Sequence, residues 1–359
     1  MTNKEKGELQ KEIINGLPPH LPHGRLLLAP RAGKTKLMID LIKRDKPDSV
    51  LWVTPSSELA EVDIPKEFAT WKAKKYLKKL TTVTWKSFNK LKGHYDLIVM
   101  DEDQFITENN MEGIFNRNIT YRHIISMTGT PSEHQEKKDI YRKLGLKVLY
   151  RLDLNRAVNI GLLSDYTIYL HRVYMSDVKN IDAGNAKVRF KTSELKQYNY
   201  LDLQVENNMC QRTIFARRRA IHNSPSKLEK AKSLIREFKH KKNLVFGATI
   251  NQVEEICEGT FHSKTTGHDY EKFQSGILNT LGLVNSGGTG FTYRNIDNLI
   301  IVQCDADKNG LTSQKIARTL LSQKGYKANI HILMLKGTKD EDWVYSVLNK
   351  FDKTKIVEI

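Results

Sequence analysis

An apolar strand that stops at Gly-Lys-Thr and gives way to a helical pattern constrains this chain more than any other feature. The residues run Leu26-Leu27-Leu28-Ala29-Pro30-Arg31-Ala32-Gly33-Lys34-Thr35-Lys36 and then Leu37-Met38-Ile39-Asp40-Leu41. Such a loop puts backbone N–H groups at a helix N-terminus, where they point at an anion. It also offers the Lys34 ammonium to β/γ-phosphates and the Thr35 hydroxyl to Mg²⁺. Pro30, Arg31, Ala32, Gly33, Lys34, Thr35 and Lys36 are therefore the candidate nucleotide loop. The pattern is incomplete, because the glycine expected five residues before Gly33 is Leu28.

A second strand, Tyr95-Asp96-Leu97-Ile98-Val99-Met100, ends in Asp101-Glu102-Asp103-Gln104. Adjacent carboxylates at the end of a buried strand repel each other unless a cation sits there. The functional reading gives Asp101 to the Mg²⁺ shell, with Thr35, and Glu102 to the water that attacks the γ-phosphate. The alternative is a solvated turn after a core strand, which the Lys34 loop upstream argues against.

The chain has 359 residues, enough for two ordinary domains. Its 58 Lys+Arg against 41 Asp+Glu give a formal charge of +17, which favours a polyanionic partner, nucleic acid first. Cys210, Cys257 and Cys304 are widely separated and fit neither a metal cluster nor a disulfide framework. That points to a reducing compartment, and with no signal core or long apolar run a cytoplasmic location is expected.

Short apolar runs alternate with helical periodicity along the chain. They cover 26–28, 50–53, 97–100 and 124–127, then 244–246, 281–284, 299–302 and 330–335. Continuous apolar strands alternating with helices indicate parallel sheets buried on both faces. The expected fold is α/β, with two domains, 1–152 and 153–359, and a charged, irregular or helical insertion at about 173–223. Ligands of such sheets bind beyond the carboxyl ends of the strands. Thr54, Pro55 and Ser56 fall there, as does Thr84. Their hydroxyls and amides suit nucleic-acid phosphates, or they form turns and caps. Ser126-Met127-Thr128-Gly129-Thr130-Pro131 is a more unusual string at another strand end.

The order of these strings resembles the first motor domain of superfamily 2 helicases and translocases. The second half continues the resemblance through Leu154 to Tyr166, Leu244 to Thr249, Val284 to Phe291 and Ser313 to Leu321, so that it spans about Gln10 to Trp343. It is nearest to the compact helicases of bacteriophages, related to restriction and branch-migration motors. The resemblance implies two RecA-like domains with ATP and Mg²⁺ in a cleft between them and a strand of DNA, with RNA as a second option, across their tops. It implies that Thr128, Gly129 and Thr130 couple the nucleotide to the strand. Gly247, Thr249 and Ser286 would touch nucleic acid, while Gly290, Gln314 and Arg318 would close on the nucleotide. Gln10 is placed for an adenine contact, or is merely solvated. Replication or recombination proteins are implied as partners.

Two departures bear on mechanism. Arg31 stands where the family commonly has a second glycine. The pattern Gln-x-x-Gly-Arg-x-x-Arg reads Gln314-x-x-Ala317-Arg318-x-x-Leu321, so one arginine is absent. Arg318 alone, or Lys324, would have to neutralise the transferring phosphoryl group, a role worth roughly 10³ to 10⁵ in rate. A weak ATPase strongly stimulated by nucleic acid is expected. Lys74, Lys75, Lys78 and Lys79, on helical spacing with Tyr76, and Arg212, Arg217, Arg218 and Arg219 are two basic clusters that serve either as solvated faces or as backbone contacts. No zinc finger, helix-turn-helix or appended nuclease is visible. A helicase or translocase leads. A clamp or annealing factor that binds ATP with little hydrolysis follows, and a P-loop phosphotransferase comes last.

Overall fold

A computed structural model describes residues 2–129, 131–132, 134–184, 189–284, 293, 296–304, 311–320 and 326–359, with Asn3, Leu311 and Arg318 described for backbone alone. The chain divides into two compact units, Met1–Leu163 with Lys308–Ala317, and Ser164–Asp307 with Arg318–Ile359.

The first unit is built on six strands: β1 (Gly24–Leu28), β2 (Val50–Thr54), β3 (Leu80–Thr84), β4 (Gly93–Asp101), β5 (Ile119–Thr128) and β6 (Val148–Leu152). All pair in parallel, in the order β3-β2-β4-β5-β1-β6. Every residue of β1 and β2 is buried, as expected of strands covered on both faces. Leu51, Val53, Ile98, Met100 and Ile124 pack with Trp85, Phe88, Met111 and Ile140 into one continuous apolar cluster. Helix α1 (Asn3–Gly16) starts at a capping box in which Thr2 and Glu5 exchange hydrogen bonds. Helix α2 (Lys34–Asp45) buries Leu37, Met38, Ile39, Leu41 and Ile42, the apolar set at helical spacing after the Gly-Lys-Thr string.

In the second unit the strands are β7 (Asp165–Val173), β8 (Lys179–Gly184), β9 (Arg189–Ser193), β10 (Asn243–Phe246), β11 (Gly259–Phe261), β12 (Thr280–Leu283), β13 (Asn298–Ile301), β14 (Lys327–Leu335) and β15 (Ile356–Glu358). Seven form a parallel sheet in the order β11-β12-β10-β13-β14-β7-β15. Strands β8 and β9 stand apart as an antiparallel pair, followed by the helices Glu194–Asn207 and Gln211–His222. The segment read from sequence as irregular or helical is thus a β-pair and two helices. A fully buried ion pair, Lys227 to Asp340 at 2.6 Å, lies in this unit and is bridged by Gln303. The run Lys74–Lys79 is a short 3₁₀ helix rather than the α-helical face its spacing suggested, and Tyr76 is its buried residue. No helix among the described residues is long and apolar enough to cross a membrane.

Candidate nucleotide site

Strand β1 ends at Leu28, and the chain turns through Ala29 to Gly33 into α2. Two residues of that turn are left-handed, Arg31 at φ 68° and Gly33 at φ 81°. Glycine adopts this conformation freely, whereas arginine does so at a cost. Arg31 therefore takes a glycine-like backbone where the related pattern has a glycine. A Cβ at Gly33 would also lie 2.2 Å from Gln10 Nε2, so the Gln10 amide would have to shift away from the loop.

Gln10 on α1 is buried, and its Nε2 donates to the Ala32 carbonyl at 2.8 Å. The side chain is neither solvated nor aimed at open space, and it braces the loop from behind. Lys6, one turn earlier, has its ammonium pushed below the ordinary lysine range, first by burial and then by repulsion from Arg31 and Lys36. Positive charge is thereby concentrated at this loop, although Lys36 itself is paired with Asp40 at 2.5 Å.

Lys34, the first residue of α2, extends to Glu102 at the end of β4, with Nζ 2.6 Å from Oε1. Glu102 is itself left-handed at φ 54°, and its N–H donates to Asp101 Oδ1 at 3.0 Å. Its second oxygen, Oε2, accepts from Gln104 Nε2 at 3.0 Å and from Gln314 Nε2 at 3.1 Å. Gln314 belongs to the same compact unit, although it is distant in sequence. Lys34, Asp101, Glu102 and Gln314, separated widely along the chain, are thus brought together in the first unit.

Burial, followed by the adjacent Glu102 charge, pushes the Asp101 carboxyl up to about 6, with Lys34 opposing. A divalent cation beside Asp101 would relieve that cost, so the residue fits a Mg²⁺ ligand, with the Thr35 hydroxyl the second protein candidate. The indole of Trp85 donates to the Asp101 carbonyl at 3.0 Å and pins the strand end.

Asp103 has a different task. It is fully buried, receives Arg25 Nε at 2.9 Å and Ser126 Oγ at 2.8 Å, and is bonded by the Tyr141 hydroxyl. Arg25, which stacks on the Tyr141 ring 3.6 Å from its centroid, was the overlooked signal: a lone charge in a buried strand requires a partner. Gln104 continues the site toward β5, where Thr128 Oγ1 donates to Gln104 Oε1 at 2.6 Å. Gly129 sits against β1, since a Cβ there would meet the Leu28 carbonyl at 3.1 Å.

The candidate nucleic-acid residues are more scattered. Thr54 is fully buried, and its hydroxyl has no hydrogen-bond partner among the described residues, which leaves half-buried Pro55 and exposed Ser56 at that loop. Thr84 precedes the short helix Trp85–Phe88. Thr249 caps the helix Ile250–Ile256 by accepting from Gln252 N at 3.2 Å, and Gly247 is buried where a Cβ would meet Val253 at 2.6 Å. Thr130, Ser286, Gly290, Leu321 and Lys324 lie outside the described residues, and only the backbone of Arg318 is described, in the helix Leu311–Thr319.

No protein-family model matches the sequence, and no curated protein matches it. Solved structures do match. The Pyrococcus furiosus Hef helicase domain aligns with 95% of this chain and 97% of its own, at a TM-score of 0.55 and 15% identity. The ATP-dependent Type ISP restriction-modification enzyme LlaBIII bound to DNA covers 100% of this chain at a TM-score of 0.60 and 13% identity; this chain spans 31% of that larger enzyme. S. cerevisiae Dbp5 bound to RNA and ADP BeF3 covers 98% of this chain and 89% of its own, at a TM-score of 0.57 and 12% identity. The two parallel sheets flanked by helices have the architecture of tandem RecA-like domains of helicases.

Proposed function

We propose that the chain is a nucleic-acid-dependent ATPase of the superfamily 2 helicase and translocase type, acting on DNA in replication, recombination or repair. The observation that carries this reading is the convergence of Lys34, Glu102 and Gln314 beside Asp101, at the end of the loop that opens α2. An isolated P-loop string would not require a strand-end carboxylate to meet the loop lysine, nor a glutamine from the second half of the chain to meet that same carboxylate.

In this reading the backbone from Ala32 to Thr35 and the Lys34 ammonium hold the phosphates of ATP. Thr35 and Asp101 would hold Mg²⁺, which when bound neutralises charge on the phosphate oxygens. Glu102 orients the attacking water and accepts its proton, while Gln314 and Gln104 fix the carboxylate through Oε2. Thr128, bonded to Gln104, is the first residue on the way from the nucleotide to the nucleic-acid face. Gln10 positions the loop through Ala32. Arg318 is the remaining candidate for charge on the transferring phosphoryl group.

The formal charge of +17 suits a polyanionic track. The structures of similar fold include one bound to DNA and one bound to RNA. Phosphate release measured without nucleic acid and with single-stranded DNA, duplex, forked DNA and RNA tests the reading. Stimulation by DNA supports the motor. Tight ATP and DNA binding without turnover would replace it by a clamp or annealing factor, the reading that Leu321 in place of an arginine favours. Turnover indifferent to every nucleic acid would make the chain a small-molecule enzyme.

A further inference from the structure

The segment from Tyr174 to Asn223 has no part in ATP chemistry, yet it exposes more large apolar side chains than any comparable stretch among the described residues. Eight of the seventeen exposed large hydrophobics among the described residues lie there, including Tyr174, Phe190, Tyr200 and Phe215. The same segment carries nine lysines and arginines against five acidic residues. Aromatic exposure and positive charge thus coincide within the second unit.

Their arrangement on the helix Gln211–His222 is specific. Arg212, Phe215 and Arg219 are three and four residues apart, share one helix face and are all exposed. The two guanidinium-bearing positions are about 10 Å apart along the axis, with the phenyl ring between them. Arg217, on another face, is bonded to Asp202 at 2.5 Å, so the arginine run is divided between packing and surface.

Beside this face lies a cavity of about 440 Å³. Ile181, Leu201 and Ala216 form apolar walls, the side chains of Gln197 and Asn223 contribute amides, and Arg219 joins it to the exposed face. Glu194 also lines the cavity, but its carboxylate is held by the hydroxyls of Ser224 and Ser226 and by the Ser176 N–H at 3.2 Å. In the β8–β9 pair Ala183 faces Phe190 and Ile181 faces Thr192, so Phe190 lies on the sheet face that Ile181 presents to the cavity.

We propose that this insertion is a binding site for single-stranded nucleic acid, a reading that rests on the motor function above. One unpaired base stacks on Phe215, flanking phosphates meet Arg212 and Arg219, and the cavity takes a neighbouring base against its apolar walls and amides. Every base has a π-face, so stacking is tolerant of sequence, and the arginines track the backbone. A duplex keeps its bases stacked and cannot use the ring or the cavity. The site therefore discriminates strand state.

Binding of fluorescein-labelled oligothymidine to the full chain, followed by anisotropy, tests this. Phe215→Ala should weaken binding roughly 5- to 100-fold. It should keep the parental melting temperature, because the ring is 56% exposed. Phe215→Trp should retain affinity, and the added indole should be quenched by oligothymidine. Arg212→Gln and Arg219→Gln should each reduce the slope of log affinity against log salt by about 0.7. Parental affinities and slopes in all variants, with no indole quenching, would overturn the insertion site and leave the motor reading standing. Equal displacement of the oligonucleotide by polyglutamate from parent and Phe215→Ala would mark a general polyanion patch, which also overturns it. A parent that neither binds oligothymidine nor responds to nucleic acid in its ATPase would remove the motor reading, and this site with it.

Discussion

Lys34 Nζ lies 2.6 Å from Glu102 Oε1, so the cation assigned to the phosphates and the carboxylate assigned to the water hold each other. In the proposed function, a triphosphate reaching Lys34 would compete with Glu102 for the same ammonium. Binding and the readiness of the proposed base would then be linked through this one ion pair.

Removing either partner should separate the two roles. Lys34→Ala should abolish ATP hydrolysis with the fold intact by circular dichroism. Glu102→Gln should lower turnover roughly 10²- to 10⁴-fold. It should also bind ATP about fivefold more tightly, because Lys34 loses a competing charge worth up to about 1 kcal/mol. Equilibrium titration with a fluorescent ATP analogue measures this, and weaker binding by Glu102→Gln would contradict the competition.

Asp101 sets a pH dependence. Its carboxyl is raised from 3.8 to about 6 in the folded chain, chiefly by burial. The ionised form therefore costs stability, a cost that grows as pH rises from about 3.8 to about 6 and is constant above. Asp101→Asn should raise the melting temperature at pH 8 by at least about 2 °C. The gain should shrink as pH falls to 5. Mg²⁺ binding by the parent, and with it kcat/KM, should weaken below pH 6 by up to about tenfold per unit, because a proton on Asp101 competes with the cation. A gain independent of pH would show that burial of Asp101 is not its source.

Gln10 should act on the loop and not on the base. Its hydrogen bond to the Ala32 carbonyl is worth about 1 kcal/mol, so Gln10→Ala should raise KM about fivefold. ATP and GTP should be affected alike in steady-state assays. A loss confined to ATP would instead make Gln10 an adenine contact.

Arg25 and Asp103 predict stability. Arg25→Met leaves Asp103 buried without its cation, which should cost about 3–5 kcal/mol. Replacing Asp103 with Leu in the same chain should recover much of the loss. Urea unfolding followed by tryptophan fluorescence measures both, since Trp52 and Trp85 are buried in the first unit.

The loop and strand ends of the first unit were legible because their residues obey local rules: a strand, a Gly-Lys-Thr turn, a second strand ending in carboxylates. What escaped depended on burial of polar groups. Strand β7 was missed because His171 and Thr167 interrupt its apolar run, yet both are buried, and His171 pairs with His331 at 2.9 Å. The edge strand β3 has no fully buried residue and left no apolar signature. Thr54 and Thr249 share the hydroxyl that suggested phosphate contacts, but one is enclosed and the other caps a helix. Asp103 is indistinguishable in sequence from its neighbours Asp101 and Glu102, and only the distant Arg25 separates it from them.

Gln104 carries a consequence of its own. An ionised Glu102 can only accept, so the amide must offer it nitrogen and turn oxygen toward the Thr128 hydroxyl. The planar amide is a polarised connector whose two ends cannot be satisfied independently. If Glu102 takes a proton on Oε2, as the proposed role as base allows, that oxygen becomes a donor, the preference at one end of the amide reverses, and the Thr128 contact or the amide would have to rearrange. A single proton on that carboxylate would then be legible at the far end of β5 before any backbone had moved.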